Sequence, residues 1–483
     1  MSRVPSIPNE RPRPLALPFL MACAMGMALA WSGRPVAALF LAMAGLAYLI
    51  FGLMSIRDPL VWAAGILLVL EVAPPLYFDR LGDTPVYASF LLLPIGLAVV
   101  VTRFPDMRFE WDPVAKGLTA FLAGTAASMP FAFWLSGTEA GMSSLSRWVL
   151  LGHAALVYFL IRAGARRDPS RTEGRMFGLL LAGAVLSAAY GVVDFLWPIP
   201  LAHPSADQFI WLEGAVIRRA QGPFYESSNF ANFCGFFLVA ASAALFGPRE
   251  RCLGIPRSLL PLVICVLGLA VLVAFSRSTW ASVLTALAVF ALMSRFARPL
   301  AGIAVLIALL VPLGLLWAVS PELWEYLVDA RLGRLFDILA DPDSATSGRF
   351  ETWKHVLSIM RDEPQYLFFG IGYKTLTVTR LFQGPIVTDN GYLSLLLETG
   401  LVGLSGFLVL SGAILRVFFR LARSADERLA FWSAVLFSIW CGELVQLLAA
   451  DAYTYWRNIS VLAALMALTL NLAERAGFSE ASS

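Results

Sequence analysis

Unbroken apolar stretches recur along almost the whole chain, near residues 15–31, 36–54, 60–78, 87–102, 115–136, 147–164, 176–197, 227–246, 258–275, 279–295, 299–319, 390–415, 429–448 and 458–473. Each is long enough, or nearly so, to cross a bilayer as a helix of ~20 residues. A helix suits that solvent because it pairs its backbone groups within itself. The pattern predicts an all-α polytopic integral membrane protein with about 12–14 transmembrane helices. The first stretch, with Arg11 and Arg13 ahead of it, looks like a secretory signal, but so many spans follow that it reads as a retained helix.

Polar intervals between the stretches are short, with two exceptions: about Pro198 to Glu226, and about Ser320 to Asp389. The chain therefore divides into transmembrane helices 1–11 with short loops (1–319), one long loop (320–389), and helices 12–14 with a short tail (390–483). The long loop is patterned. Ser320-Pro321-Glu322 is a helix start, with a capping hydroxyl, a first-turn proline and an early acid. Leu323, Trp324, Leu327, Val328, Leu335, Ile338 and Leu339 follow at helical spacing, which predicts an amphipathic helix. A second helix is expected from roughly Ser347 to Arg361, carrying Arg349, Trp353 and His355. Long ordered loops are commonly functional, so this one is expected to act as a lid.

Composition narrows the class. Of 483 residues, 59% are hydrophobic and only 14% charged, with a mean hydropathy of +0.73. A soluble domain carries about 25% charged residues, so a soluble enzyme, a nucleic-acid binder and a disordered chain are all excluded. The five cysteines lie far apart with no CxxC spacing, which suggests neither a metal knuckle nor a disulfide framework. Arginine concentrates in alternate intervals, as at Arg162–Arg175 and Arg416–Arg428. The positive-inside rule then places both termini in the cytoplasm and both long intervals outside.

Charges left on the outer side are the candidates for chemistry. Arg277 sits in Ser276-Arg277-Ser278, a very short turn between two apolar helices, where a cation usually has an anionic partner; the plainer alternative is snorkelling, or neutralising a helix C-terminus. Arg218 and Arg219 precede a Gly222-Pro223 turn and Glu226-Ser227-Ser228-Asn229, where a serine is expected to cap the next helix. The arginine pair suggests an anion site; an ordinary solvated loop is the alternative. Thr388-Asp389-Asn390-Gly391-Tyr392 leads into the twelfth helix, with Asp389 either a helix cap or a general base. Gly400, Gly403 and Gly406 allow close helix packing, and Glu398 beside them is expected to meet a buried polar group. Asp194, Glu71, Glu443, Asp451 and Arg457 are candidates for pairs inside the bundle. Asp341-Pro342-Asp343 has the form of a divalent-metal pair but reads better as a turn, so no metal and no other cofactor is expected.

Taken in order, these residues resemble the bacterial O-antigen ligase and O-antigen polymerase superfamily. Arg219-Ala220-Gln221-Gly222-Pro223-Phe224 followed by Asn229 is similar to the family's Arg-x-x-Gly-x-Phe…Pro-Asn stretch, with Ser228 in place of Pro. Ser276-Arg277 is similar to its Ser-Arg at a helix end. Asp389-Asn390, nine residues, Gly400, two residues and Gly403 follow the ligases' spacing of His-(Asn/Ser/Gln), nine residues, Gly, two residues, Gly. Arg349…Trp353 and Phe369-Gly370-Ile371-Gly372-Tyr373 look like its long periplasmic loop.

The resemblance implies a glycosyltransferase of the bacterial inner membrane with a periplasmic active site. Its donor would be an oligosaccharide on undecaprenyl diphosphate. Its acceptor would be another lipid-linked repeat or lipid A core, with no nucleic acid involved. Arg219 and Arg277 would hold the diphosphate and Asp389 would be the base. Arg218, Asn229, Arg349, Trp353, His355, Asn390, Tyr392 and Glu398 would bind substrate. Asp389 stands where the ligases carry their proposed base, a His, which favours polymerisation of repeat units over ligation. A lipid or polysaccharide transporter is the rival class; it predicts a polar path through mid-membrane, whereas these candidates cluster on one side.

Overall fold

The computed structural model describes residues 35–73, 87–107, 111–164, 169–199, 215–248, 253–293, 349–382 and 386–478, with short pieces at 80–81, 84–85 and 208–212 and the single residues 314 and 317. The first predicted span, the amphipathic helix expected after Ser320 and the Asp341/Asp343 pair lie outside these residues. The described helices are α1 (Pro35–Arg57), α2 (Pro59–Val72), α3 (Leu93–Arg103), α4 (Pro113–Gly164), α5 (Pro169–Leu196), α6 (Ser227–Ala244), α7 (Leu260–Val273), α8 (Arg277–Met293), α9 (Arg349–Asp362), the single turn α10 (Tyr366–Phe369), α11 (Gly391–Leu421), α12 (Glu427–Gln446) and α13 (Trp456–Arg475). Six helical segments among the described residues are long and apolar enough to cross a membrane, and four more are apolar but shorter. The architecture is that of an all-α polytopic membrane protein.

Two small antiparallel hairpins interrupt the helical pattern, β1 (Arg80–Leu81) with β2 (Thr84–Pro85), and β3 (Phe209–Leu212) with β4 (Ala215–Arg218). The second was not legible as a strand pair. Its register, Phe209 opposite Arg218 and Leu212 opposite Ala215, delivers the chain directly into the Arg218-Arg219 stretch.

The fifth and sixth predicted spans are both present, as the two helical halves of α4 folded back on each other at Gly137. Gly137 has φ 86° and ψ −179°, a region essentially reserved for glycine. The two halves lie side by side, since Trp148 Nε1 donates to Leu122 O at 3.1 Å and the Tyr158 hydroxyl reaches Asp112 at 2.7 Å.

The first half of α4 packs along α11 through small residues. A Cβ on Gly117 would stand 2.7 Å from Leu410 Cα, one on Gly124 2.9 Å from Val402 O, and one on Gly406 2.7 Å from Ala120 O. Backbones thus approach as closely as the glycines at 403 and 406 led one to expect. Gly400 does something else. With φ 66° and ψ −169° it breaks α11 in two. The break leaves the carbonyls of Leu397 and Glu398 without helical donors, and the N–H groups of Ile371 and Gly372 take their place at 3.1 and 2.9 Å. The loop after α10 is thereby stitched to the broken helix.

The bundle end remote from this loop is closed by charge. Arg162 Nε donates to Asp112 at 3.2 Å, Nη1 to Asn471 at 2.6 Å and Nη2 to Glu474, while Arg475 reaches Glu173 at 2.5 Å. Asp112 is 4% exposed. Arg162→Ala would leave that carboxylate buried beside a missing cation, a change that costs ~3–5 kcal/mol. The expected result is a clearly lower melting temperature in detergent, whereas Arg423→Ala, a surface residue stacked on Phe419 at 4.0 Å, should shift it little.

Candidate functional site

At the opposite end of the bundle, four connections converge: β4 to α6, α7 to α8, the 370–390 loop, and the turn between α12 and α13. The first carries Arg219. Its backbone N–H donates to Gln208 O at 2.8 Å, and Ala220 N donates to Val273 O at 3.0 Å, which fixes the strand end against α7. The guanidinium Nε then donates to Ala274 O at 2.9 Å and Nη2 reaches Ser228 Oγ at 3.4 Å. Arg219 therefore lies on the α7–α8 turn. Arg277 is the first residue of α8, three positions past Ala274, so both arginines share one turn. The C-terminus that sequence offered Arg277 as a neutral role is capped by Arg219 instead, and Arg277 starts a helix, where a cation is not favoured by the dipole.

Gly222-Pro223 makes the expected turn, and the loop around it is rigid. Gly222 has φ 55°, with the Phe230 ring packed where a side chain would go. Gln221 Nε2 donates to Tyr225 O at 2.8 Å, and Arg457 donates to Pro223 O at 2.7 Å while stacking over Phe224 at 5.2 Å. Neither serine caps α6. Glu226 occupies the cap position without a side-chain bond to the helix, the N–H of Ser227 is taken by Gln208 Oε1 at 3.0 Å, and Ser228 serves Arg219.

Across from the arginines stands Asp389. It does not cap α11; Asn390 does, accepting from the N–H groups of Tyr392 and Leu393 at 3.2 and 3.1 Å. Asp389 Oδ2 instead accepts from Arg349 Nε at 3.0 Å and lies in an ion pair 2.9 Å from Nη2, with its side chain 43% exposed. Trp353, one turn along α9, donates to Thr388 O at 2.8 Å. These two bonds clip α9 onto the start of α11.

Lys374 and Asp451 complete the floor. Lys374 Nζ donates to Asp451 Oδ2 at 3.1 Å, and its carbonyl accepts from Arg147 at 2.6 Å. Ser394 donates to Asp451 Oδ1 at 2.8 Å and bonds Thr388, tying the floor back to the Asp389 segment. Burial works against the Lys374 charge, but Asp451 and Glu398 outweigh it and raise its pKa. Burial lowers that of Arg219 against the pull of Tyr455, Glu226 and Asp389, yet an arginine stays charged at any working pH.

Three non-glycine residues among those described adopt positive φ: Phe275 (52°), Lys374 (57°) and Asp389 (44°). Each belongs to one of the converging connections. Strain of this kind costs of order 1–3 kcal/mol per residue and collects at functional sites.

The structure thus brings Arg219, Arg349, Trp353, Asp389 and Asn390 to one end of the bundle, where Arg277 begins the helix after the turn that Arg219 caps and Asn229 lies in the first turn of α6. Other candidates go elsewhere. Arg218 turns back to Asp194, with Nη2 on Oδ2 at 3.0 Å and Nη1 on the carbonyl at 2.9 Å. Tyr392 is half-buried against the bundle, its hydroxyl donating to Leu444 O at 2.9 Å. Glu398 is 1% exposed and accepts from the Tyr453 hydroxyl at 2.9 Å and Leu376 N at 3.3 Å, the buried polar contact expected of it. His355, two residues past Trp353, falls about 200° around α9 and faces solvent away from Asp389. Of the intrabundle candidates, Asp194 and Asp451 are paired, and Glu443 accepts from Asn232. Sequence alone does not mark Glu226, Lys374 or Tyr455 as neighbours of the arginines; the one signal is that Lys374 is one of only three lysines among 36 basic residues.

The described residues thus form a bundle of apolar helices with a cluster of charged and strained positions at one end. Residues 261–408 match the model of the O-antigen ligase family. This stretch, under a third of the chain, holds Arg277, Arg349, Trp353 and the Asp389–Gly406 segment, and supports membership of the O-antigen ligase and polymerase superfamily. It indicates glycosyltransferase-type chemistry on lipid-linked glycans. No curated protein matches the chain.

Proposed function

We propose that this chain moves a glycan from undecaprenyl diphosphate to an acceptor hydroxyl at the periplasmic face of the bacterial inner membrane. The observation that carries the reading is the placement of Arg219 and Arg277 on one turn, opposite the Asp389 segment. A lipid diphosphate is a good leaving group that needs positive charge as its bond to the sugar breaks. Two guanidiniums supply this by bidentate hydrogen bonds, without a metal. The acceptor oxygen attacks the anomeric carbon from the side opposite the diphosphate, so the product is inverted. The C–O electron pair leaves with the diphosphate, and the acceptor proton passes to a carboxylate of the pocket. Closure of the 320–389 loop would exclude water, since hydrolysis competes.

Asp389 where the ligases carry His favours polymerisation of repeat units. The matched family's own description favours ligation to lipid A core or another acceptor. Sizing the glycan after gene deletion separates them: loss of long chains with single repeats still attached supports polymerisation, while long chains left on the lipid carrier support ligation. The basic test is purified full-length protein in detergent with an undecaprenyl-diphosphate-linked oligosaccharide. Transfer with inversion, undiminished by a chelator, is expected; no transfer under any metal condition ends the reading.

A further inference from the structure

We propose that Glu226, and not Asp389, is the carboxylate that takes the proton from the acceptor hydroxyl. The inference rests on the glycosyl-transfer reading above and names a further catalytic residue in the same pocket. Its first support is how each carboxylate is engaged. Asp389 is held by Arg349 through a hydrogen bond from Nε and an ion-pair contact from Nη2 to the same oxygen, and that pair also anchors α9. Glu226 sits at a helix start where it could cap its own helix, yet it has no side-chain hydrogen-bond partner among the described residues. A carboxylate left unengaged in a charged pocket is available to a substrate.

The second support is position. Glu226 is two residues from Ser228, which holds the Arg219 guanidinium, so base and leaving-group clamp share one short segment. That segment is pinned on both sides, by Gln208 on Ser227 N and by Arg457 on Pro223 O. Fixing the base and the leaving-group clamp in one frame would orient the acceptor oxygen for attack on the face of the anomeric carbon opposite the diphosphate, which is where preorganisation acts.

The titratable groups near Glu226 come from several elements: the charged Arg219 from its own segment, Lys374 and Asp389 from the 370–390 loop and Asp451 from the α12–α13 turn, with the neutral phenols of Tyr455 on that turn and Tyr87 ahead of α3. Burial, helped by Asp451 and Asp389, raises its pKa above the ordinary glutamate range against the pull of Lys374 and Arg219. A base must be ionised to act. The rate should therefore rise with pH through an inflection above that of a free glutamate and then level.

In the step, the acceptor O–H bond breaks and its proton forms an O–H bond on Glu226. The freed oxygen pair forms the new glycosidic bond, and the old C–O pair departs with the lipid diphosphate held by Arg219 and Arg277.

The test uses the full-length protein in detergent, with undecaprenyl-diphosphate-linked oligosaccharide as both donor and acceptor. The assay is repeated with lipid A core as acceptor, and if the wild type transfers glycan to neither acceptor, the functional reading itself fails. If it does transfer, Glu226→Gln is expected to lower kcat at least ~10²-fold with KM within a few-fold and to abolish the pH inflection. Asp389→Asn should lose less, chiefly in KM, and keep the inflection. Should the Gln variant not fold, Glu226→Asp keeps the charge but withdraws it by one methylene; a loss of at least ~10-fold with the inflection retained is then expected. The proposal is overturned if Glu226→Gln keeps its rate and pH profile, if Glu226→Asp works at the wild-type rate, or if Asp389→Asn alone removes the inflection.

Discussion

Arg219→Ala and Arg277→Ala should each lower glycan transfer by at least ~10²-fold, the loss typical of removing one preorganised donor from a developing negative charge. The effect should fall on kcat/KM, because the diphosphate is bound before its charge grows. Arg219→Lys should not rescue it. The native guanidinium spends Nε on Ala274 O and directs Nη2 past Ser228, two directions that a single ammonium cannot serve. The adjacent Arg218→Ala is the control. Arg218 is committed to Asp194, so its loss should reduce the melting temperature more than the rate. Equal losses of activity at 218 and 219 would show that the pair acts only as a general basic patch. The assay is initial-rate transfer with the purified protein, each variant checked by thermal melting.

The second large effect is structural and lies at Gly400. Its φ of 66° with ψ of −169° falls in a region essentially reserved for glycine, and a Cβ there would run into the carbonyl of Phe368. Gly400→Ala should cost ~1–3 kcal/mol from the backbone alone, and more from the collision. It would also break the stitching of Ile371 and Gly372 to Leu397 and Glu398, so the loop that carries Lys374 would shift and activity would fall with stability. Gly412, further along the same helix, has nothing within 4 Å of an added Cβ. Gly412→Ala should gain up to ~1 kcal/mol from helix propensity. Opposite signs from two glycine-to-alanine changes on one helix, read as melting temperature in detergent, would separate the kink from mere helix flexibility. A neutral Gly400→Ala would mean that the break is not required.

Much of this was written locally. The spans were visible because lipid demands continuous apolar helices, and the charges stood out because that solvent tolerates so few. The helix at Arg349–Asp362 appeared within two residues of where its pattern put it. Less visible were features made by contacts between segments distant in sequence. The two halves of α4 were legible as separate spans, but not the left-handed Gly137 at which they fold back on each other. The β3–β4 hairpin was hidden in an interval too short for a sheet of its own. Asp389 was ambiguous between cap and base because capping depends on a backbone geometry that falls, one residue later, to Asn390.

The sequence by itself determined the solvent, the helical class, and the small set of charges able to meet an anionic substrate, because hydropathy and charge act residue by residue. Only the tertiary structure decided which of those charges face one another. Arg218 and Arg219 are neighbours in the chain, yet the end of a two-stranded hairpin sends one to Asp194 and the other to the turn that carries Arg277. Glu226 and Lys374 acquire meaning only because β4, α7, the 370–390 loop and the α12–α13 turn end at the same place. A pocket is a property of distances across the bundle, and packing sets those distances.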